Sequence, residues 1–243
     1  MATPREIWVY LAASPLLHLT ITLVAYLAGD TLYRKSGRKP IFNPVLIAIM
    51  LLVAVLTVTG TSYETYFEGA QFVHFLLGPA TVALAIPLYH QFDHVRHSAP
   101  AILVSLLAGS VTAVVSAVLI TGLLGAPQPV IASIAPKSAT TPIAMGISEQ
   151  IGGLPSLTAV LVILTGITGA VVGTSLLERI GVRDASAQGF ALGLASHGIG
   201  TARALQVSEL AGAFSALAMG LNGLATSLLA PLLMHLLAQL APR

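Results

Sequence analysis

Long apolar blocks separated by short polar stretches constrain this chain more than any other feature. Each block approaches the roughly 20 residues that a helix needs to cross a bilayer. Only 8% of the 243 residues are charged and 56% are hydrophobic, whereas a soluble domain carries about 25% charged residues. We therefore predict an all-α, polytopic integral membrane protein of about seven or eight transmembrane or re-entrant helices. The blocks are 6–27, 44–58, 71–89, 101–124, 157–177, 188–205 and 210–240.

Basic residues at the ends of the blocks predict the orientation. The stretch 33–40 holds four of them, and basic loops stay in the cytoplasm. This puts the N-terminus outside and the stretch 91–98 inside. If residues 136–151 enter and leave on one side, the loop 178–184 and the tail Arg243 are cytoplasmic as well. If they cross fully, that loop lies outside, so we favour the re-entrant interpretation.

The two halves of the chain, about 1–125 and 130–243, share a weak pattern that favours an internal repeat. We predict a single transmembrane domain over residues 1–243, built as an inverted repeat with interrupted helices. In secondary transporters of that construction, paired interruptions mark the binding site. The matching positions are Gly69 with Gly189, Gly78 with Gly198 and Thr81 with Thr201.

The first predicted interruption is the segment 77–81. Pro79 lacks an amide hydrogen and Gly78 relaxes the backbone, so the helix is expected to break there. A freed helix N-terminus favours anions, and Thr81 adds a hydroxyl. The alternative is a simple proline kink.

The second predicted interruption lies between Pro136 and Pro142. Burying a lysine near the middle of a membrane costs roughly 2.5–3.5 kcal/mol, so a cation in this position requires a partner or an anionic ligand. The alternative is a lysine that reaches the interface while the hydroxyls bond to the backbone. The candidate substrate-binding residues are Lys137, Ser138, Thr140 and Thr141.

The third predicted interruption is the segment 196–203, where Gly198 and Gly200 are expected to break the helix. Arg203 suits bidentate binding of a carboxylate, and an interfacial anchor is the alternative. His197 suits a hydrogen bond or a proton relay, with a structural histidine as the more common role. Thr201 adds another candidate hydroxyl.

Two further groups of polar residues have plain explanations. Glu149 is either a partner of Lys137 or a solvated residue at the lip of its segment, and we favour the lip. His90, His94 and His97 share a helix face and could bind zinc, but a polar helix end in the cytoplasm explains them equally. We expect no metal and no cofactor.

Several classes of function are excluded by missing motifs. The chain has no cysteine, no nucleophile elbow, no zinc-protease motif and no nucleotide-binding loop. A Ser138–His197 hydrolase pair lacks a third group, so we expect no enzyme. The net charge of +2 resides at block ends, which argues against nucleic-acid binding.

Three strings of the chain resemble the LrgB/CidB family of bacterial membrane proteins. The resemblance runs in order over nearly the whole chain, from Asn43 to the last block. The strings are LLGPATVALAIPLY (residues 76–89), APKSATTPIAM (135–145) and GLASHGIGTARAL (193–205).

The resemblance implies two roles. Antiholin-like and holin-like systems tune murein hydrolase export and cell lysis with a small LrgA/CidA-type membrane partner. Related proteins include the plant plastid glycolate/glycerate transporter and bacterial systems linked to pyruvate uptake. The residues favour the second role, a secondary transporter of a small monocarboxylate in the bacterial inner membrane. The antiholin-like regulator is the alternative. Small residues in the last block are also compatible with a homo-oligomer.

Overall fold

The computed structural model describes residues 15–240, and every regular element in that range is a helix. The start of the first apolar block and the tail Arg243 lie outside the described residues. A 3-10 turn, Pro40–Phe42, joins the first two helices. The α-helices are α1 (Pro15–Lys35), α2 (Pro44–Thr59), α3 (Tyr63–Phe75), α4 (Leu77–Ala83), α5 (Ala85–His90), α6 (Phe92–His97), α7 (Ala99–Leu123), α8 (Gln128–Ile134), α9 (Thr141–Gln150), α10 (Pro155–Arg179), α11 (Ala185–Val207) and α12 (Glu209–Leu240).

Five stretches within the described residues are long and apolar enough to cross a membrane. The all-α, multi-pass membrane class is therefore confirmed, and the exact number of spans remains a prediction. The inverted repeat remains a prediction too. The five stretches are Pro15–Lys35, Tyr63–His90, Ala99–Leu123, Pro155–Arg179 and Glu209–Leu237.

The chain divides after Ala83 into two compact units. In the first unit, α1 packs against α2 and α3. Asn43 caps α2, because its Oδ1 accepts the amide hydrogens of Val45 and Leu46 at 2.9 and 3.2 Å. Tyr66 Oη lies 2.9 Å from Thr22 Oγ1 and joins α3 to α1.

The second unit contains a first hairpin formed by α8 and α9, which are 7 and 10 residues long. At about 1.5 Å per residue neither helix can cross a bilayer core of about 30 Å. The chain turns at residues 135–140 and returns. This is shown by Ser133 in α8 and Ser148 near the end of α9, which both contact Thr158. Thr158 Oγ1 lies 2.7 Å from Ser148 Oγ and 3.0 Å from the Ser133 carbonyl oxygen. Residues 128–150 therefore form a hairpin that enters and leaves on one side of the second unit, and the predicted re-entrant segment 136–151 is its tip and second leg.

A second hairpin lies inside α11, which is not a straight helix. Ser196 (φ −132°, ψ 16°) and His197 (φ 42°, ψ −134°) leave the helical region. The leg before them runs parallel to α12, with Gly189 against Ala211 and Gly193 against Ser215. The leg after them runs back along the same helix, from Gly198 at Met219 to Leu205 at Gly212. The predicted crossing block 188–205 is therefore a return, and its interpretation as a crossing is corrected.

The two hairpins enter the second unit from opposite faces. The long helix α10 begins beside the mouth of the first hairpin, where Leu154 N donates to Ser133 Oγ at 2.8 Å. It ends at Arg179, shortly before the second hairpin starts at Ala185. Its 25 residues span about 37 Å, enough to separate the two faces.

The second hairpin also reverses the direction expected for the last helix. Helix α12 starts at Glu209, at the mouth of the second hairpin, and its later residue Ala230 packs with Ile131 and Ile147 of the first. It therefore runs to the face opposite the loop 178–184. The prediction that Arg243 shares the side of that loop rested on a crossing by 188–205, although Arg243 itself lies outside the described residues.

Candidate functional site

The tip of the first hairpin, residues 135–140, carries Lys137 and Ser138. Ala135, Pro136 and Ala139 are buried here, while Lys137 is half-buried. Within residues 15–240 no carboxylate pairs with the Lys137 ammonium. The Ser138 hydroxyl is buried, and the described residues offer it no hydrogen-bond partner. The tip therefore presents one cation and one unsatisfied hydroxyl.

The tip of the second hairpin is held by His197. Its Nε2 donates to the Val162 carbonyl oxygen of α10 at 2.9 Å, while its own carbonyl oxygen accepts from Thr201 Oγ1 at 2.9 Å. A non-glycine residue with positive φ costs on the order of 1–3 kcal/mol and persists only where its surroundings hold it. These two hydrogen bonds are such a restraint.

The helix break lies at Ser196 and His197, so its predicted location at Gly198 and Gly200 is corrected. Gly200 serves a different purpose, since a Cβ on it would overlap the backbone of Leu192. It lets the two legs of the hairpin approach closely. The reversal of the backbone is stabilised by side-chain hydrogen bonds and does not depend on glycine flexibility.

Glycines of α10 make room for this tip near the middle of that helix. A Cβ on Gly166 would lie 2.7 Å from Cε1 of the His197 ring, and one on Gly169 would overlap the Ser196 hydroxyl. The side chain of Val162 packs with Ala139 and Ala144 of the first hairpin. Helix α10 therefore contacts both tips at the same level.

Asn222 of α12 joins the two tips and is completely buried. Its Nδ2 donates to the Ser138 carbonyl oxygen at 3.0 Å and to the Leu194 carbonyl oxygen at 3.1 Å. Its Oδ1 accepts from Ser110 Oγ at 2.7 Å and Thr226 Oγ1 at 3.2 Å. The amide thus satisfies carbonyl groups that the interrupted helices leave without their usual partners.

An open groove of about 390 Å³ lies beside the tips. Lys137 from the first hairpin and Ser196 from the second both line it. Its other wall is α10, which contributes mixed apolar and hydroxyl side chains. The remaining lining residues are Leu161, Leu164, Thr165, Thr168, Gly169 and Ala195. A cation, several hydroxyls and an apolar wall together suit a small organic anion.

The other predicted residues of the second unit lie around the groove and the two hairpin tips. Pro142 occupies the first turn of α9, and Thr140 is its N-cap without a side-chain capping bond. Thr141 begins the helix, so the N-terminus of α9 lies at the first tip. Thr201 is buried against Ser215 at 3.0 Å. Arg203 donates to Gln206 Oε1 at 3.3 Å, further along the second leg, and does not line the groove.

Gly78, Pro79 and Thr81 belong to α4 in the first unit. The helical interruption lies at Leu76, before α4 begins, so the predicted break at Gly78 and Pro79 is shifted. Pro79 is in the first turn of α4, where a missing amide hydrogen costs no intrahelical bond.

The remaining polar candidates lie at the mouth of the second hairpin or at the surface. His90 Nδ1 lies 3.1 Å from Glu209 Oε1, and in residues 15–240 no three potential ligands are grouped for a metal. Hydrogen bonds from Ser186 and from the Ala187 amide hold the pKa of Asp184 below its usual range, and His94 adds a smaller effect. Glu149 is exposed at the end of α9.

Sequence reasoning missed Asn222, together with the groove hydroxyls Ser196, Thr165 and Thr168. Asn222 carried a usable signal, because it is an uncharged amide inside the apolar block 210–240 and one of two asparagines in the chain. The threonines of α10 carried none, since threonines on a membrane helix commonly bond to their own backbone.

Comparison with known proteins identifies the family of this chain. Residues 22–236 match the LrgB-like family. The chain is 39% identical to the uncharacterized protein YxaC of Bacillus subtilis, covering 90% of this chain and 94% of the relative. It is 33% identical to the antiholin-like protein LrgB of Bacillus mycoides, covering 91% and 96%. No solved structure matches it. The chain is a member of the LrgB-like family.

Proposed function

We propose that this protein is a secondary transporter of a small monocarboxylate, such as pyruvate, lactate, glycolate or glycerate, in the bacterial inner membrane. The observation that carries the proposal is Lys137. It sits at the tip of a re-entrant hairpin, lines a groove with the tip of a second hairpin, and has no carboxylate partner within residues 15–240.

The hairpin geometry adds a second argument for an anion. Helix α9 and the second leg of α11 both begin at the tips, so their N-termini converge on the same level of α10. Helix N-termini carry partial positive charge. Together with Lys137 they favour a carboxylate, while the hydroxyl of Ser196, which lines the groove, suits the oxygen on the neighbouring carbon.

Opposed hairpins also suit alternating access. Irregular backbone at membrane depth is tolerated where protein buries it or where it lines a wet cavity. The groove is lined by Lys137 of one tip and Ser196 of the other, and the two hairpins enter from opposite faces, so movement of one tip at a time would open the groove to one side. The positive-inside rule assigns the face with Arg96, Arg179 and Arg183 to the cytoplasm.

The experiment is uptake of radiolabelled pyruvate and glycolate into proteoliposomes that contain only this chain. Loss of a charged hydrogen bond costs about 1.5–3 kcal/mol, so Lys137→Met should weaken apparent affinity about 10- to 100-fold. Lys39→Met is the matched control, because Lys39 is exposed in the stretch between α1 and α2. Equal uptake by both variants would refute the assigned role of Lys137.

The second candidate function is an antiholin-like regulator that acts with a small membrane partner. It is supported by the names of relatives such as the antiholin-like protein LrgB of Bacillus cereus, 33% identical over 221 residues. Under this proposal the folded chain alone transports nothing, and Lys137→Met leaves control of lysis intact in cells that carry the partner. These two results together would replace the transport proposal.

A further inference from the structure

We propose that Asn222 is a positioning residue that couples the tips of the two hairpins and so fixes the groove between Lys137 and Ser196. The inference rests on the proposed function for its consequence in transport, and on geometry alone for the coupling itself. Asn222 lies on α12 and does not line the groove, so it acts through the two tips.

The carbonyl groups that Asn222 binds are those that the helix interruptions release. In a continuous α11, the Leu194 carbonyl oxygen would accept the amide hydrogen four residues later, and the turn at Ser196 and His197 intervenes. Ser138 lies in the non-helical tip of the first hairpin. One NH₂ group bonds to both oxygens, at 3.0 and 3.1 Å. Neither tip can withdraw without leaving a buried amide hydrogen unsatisfied.

The orientation of the amide is fixed by its other end. Ser110 of α7 and Thr226 of α12 both place hydroxyls on Oδ1, so the NH₂ group must face the tips. Ser110 lies near the middle of α7, which puts this junction at mid-depth in the second unit. The four bonds use the whole hydrogen-bonding capacity of the side chain, two N–H donors and two oxygen lone pairs.

The side chains make the coupling testable by separate substitutions. Asn222→Asp keeps the acceptor for Ser110 and Thr226 and replaces the donor with an oxygen that faces two carbonyl groups. Ser110→Ala is the matched control, because it removes a bond on the opposite end of the same amide. Asn222→Ser is a milder variant, since one hydroxyl can donate to only one of the two tips.

The reporter is a single cysteine at Ser138 in this naturally cysteine-free chain. Among the described residues the Ser138 hydroxyl has no partner to lose, and the residue is 5% exposed, so Ser138→Cys should react slowly with a maleimide. Adding Asn222→Asp should raise the labelling rate at least tenfold, adding Asn222→Ser should raise it less, and adding Ser110→Ala should leave it within twofold. In proteoliposomes, Asn222→Asp should raise KM for pyruvate at least tenfold at equal amounts of folded protein.

The outcomes separate this inference from the proposed function. Faster labelling in Asn222→Asp without any uptake by the parent chain supports the coupling and refutes transport by the chain alone. Unchanged labelling, or equal acceleration by Ser110→Ala, overturns the coupling. Failure of both Asn222 variants to fold, with Ser110→Ala folding normally, also overturns it, because Asn222 would then be required for folding and not for positioning.

Discussion

The packing of the second hairpin on α12 predicts a large effect of a single methyl group. Gly193 lies on the first leg of the hairpin, and a Cβ there would be 2.7 Å from both the Cα and the carbonyl carbon of Ser215, and closer still to the carbonyl oxygen. Carbon atoms pack at about 3.5–4.0 Å. Gly193→Ala therefore requires the leg and α12 to separate by about 1 Å.

The magnitude follows from two opposing terms. Overpacking of this kind costs about 1–3 kcal/mol, and replacement of a helical glycine by alanine returns about 1 kcal/mol. Gly220 of α12 is the matched control, since a Cβ on it meets nothing within 4 Å. Gly220→Ala should show the propensity gain alone. The propensity gain is common to both variants, so they should differ by the overpacking cost of about 1–3 kcal/mol, with Gly193→Ala the less stable.

The assay is thermal unfolding in detergent, followed by circular dichroism at 222 nm or by the fraction that stays monodisperse after heating. At about 2–4 °C per kcal/mol for a chain of this size, the midpoints should differ by about 2–12 °C. A Gly193→Ala midpoint equal to or above that of Gly220→Ala would refute the close approach of the hairpin and α12.

Two further predictions concern hydrogen bonds away from the groove. Asp184 caps α11 through the Ala187 amide at 2.9 Å, so Asp184→Ala should cost about 1 kcal/mol. Because its native pKa is lowered, that stability is present above about pH 4 and is lost as the pH falls through the native value. Thermal midpoints that differ equally at pH 7 and pH 3 would contradict this. Thr158→Val should cost about 1–3 kcal/mol by leaving the Ser133 carbonyl oxygen without its 3.0 Å partner. Thr57→Val, on an exposed face of α2, is its control, and equal stability of the two variants would exclude the proposed network.

The sequence identified the segments that carry most of the polar groups of the site, but not which of those groups contact one another. Lys137 and Ser138 stood out because a cation and hydroxyls between prolines cannot belong to a simple apolar crossing. The partners of those residues come from elsewhere in the chain. Ser196 reaches the groove from 59 residues later, and Asn222 binds the Ser138 carbonyl oxygen across 84 residues. No local pattern encodes either contact.

The all-helical membrane class followed from the sequence by itself, and charge placement favoured a return at 136–151 over a crossing, because hydropathy, charge placement and proline act locally along the chain. The second hairpin did not. Two helical legs of about ten residues contain as many apolar residues as one crossing of about 20, so composition cannot distinguish a return from a span. The difference is decided by Gly166 and Gly169 of α10, which leave space for the tip, and by the Val162 carbonyl oxygen that binds His197. These groups lie about 30 residues away in sequence, and only the packed structure brings them to the point where the chain turns.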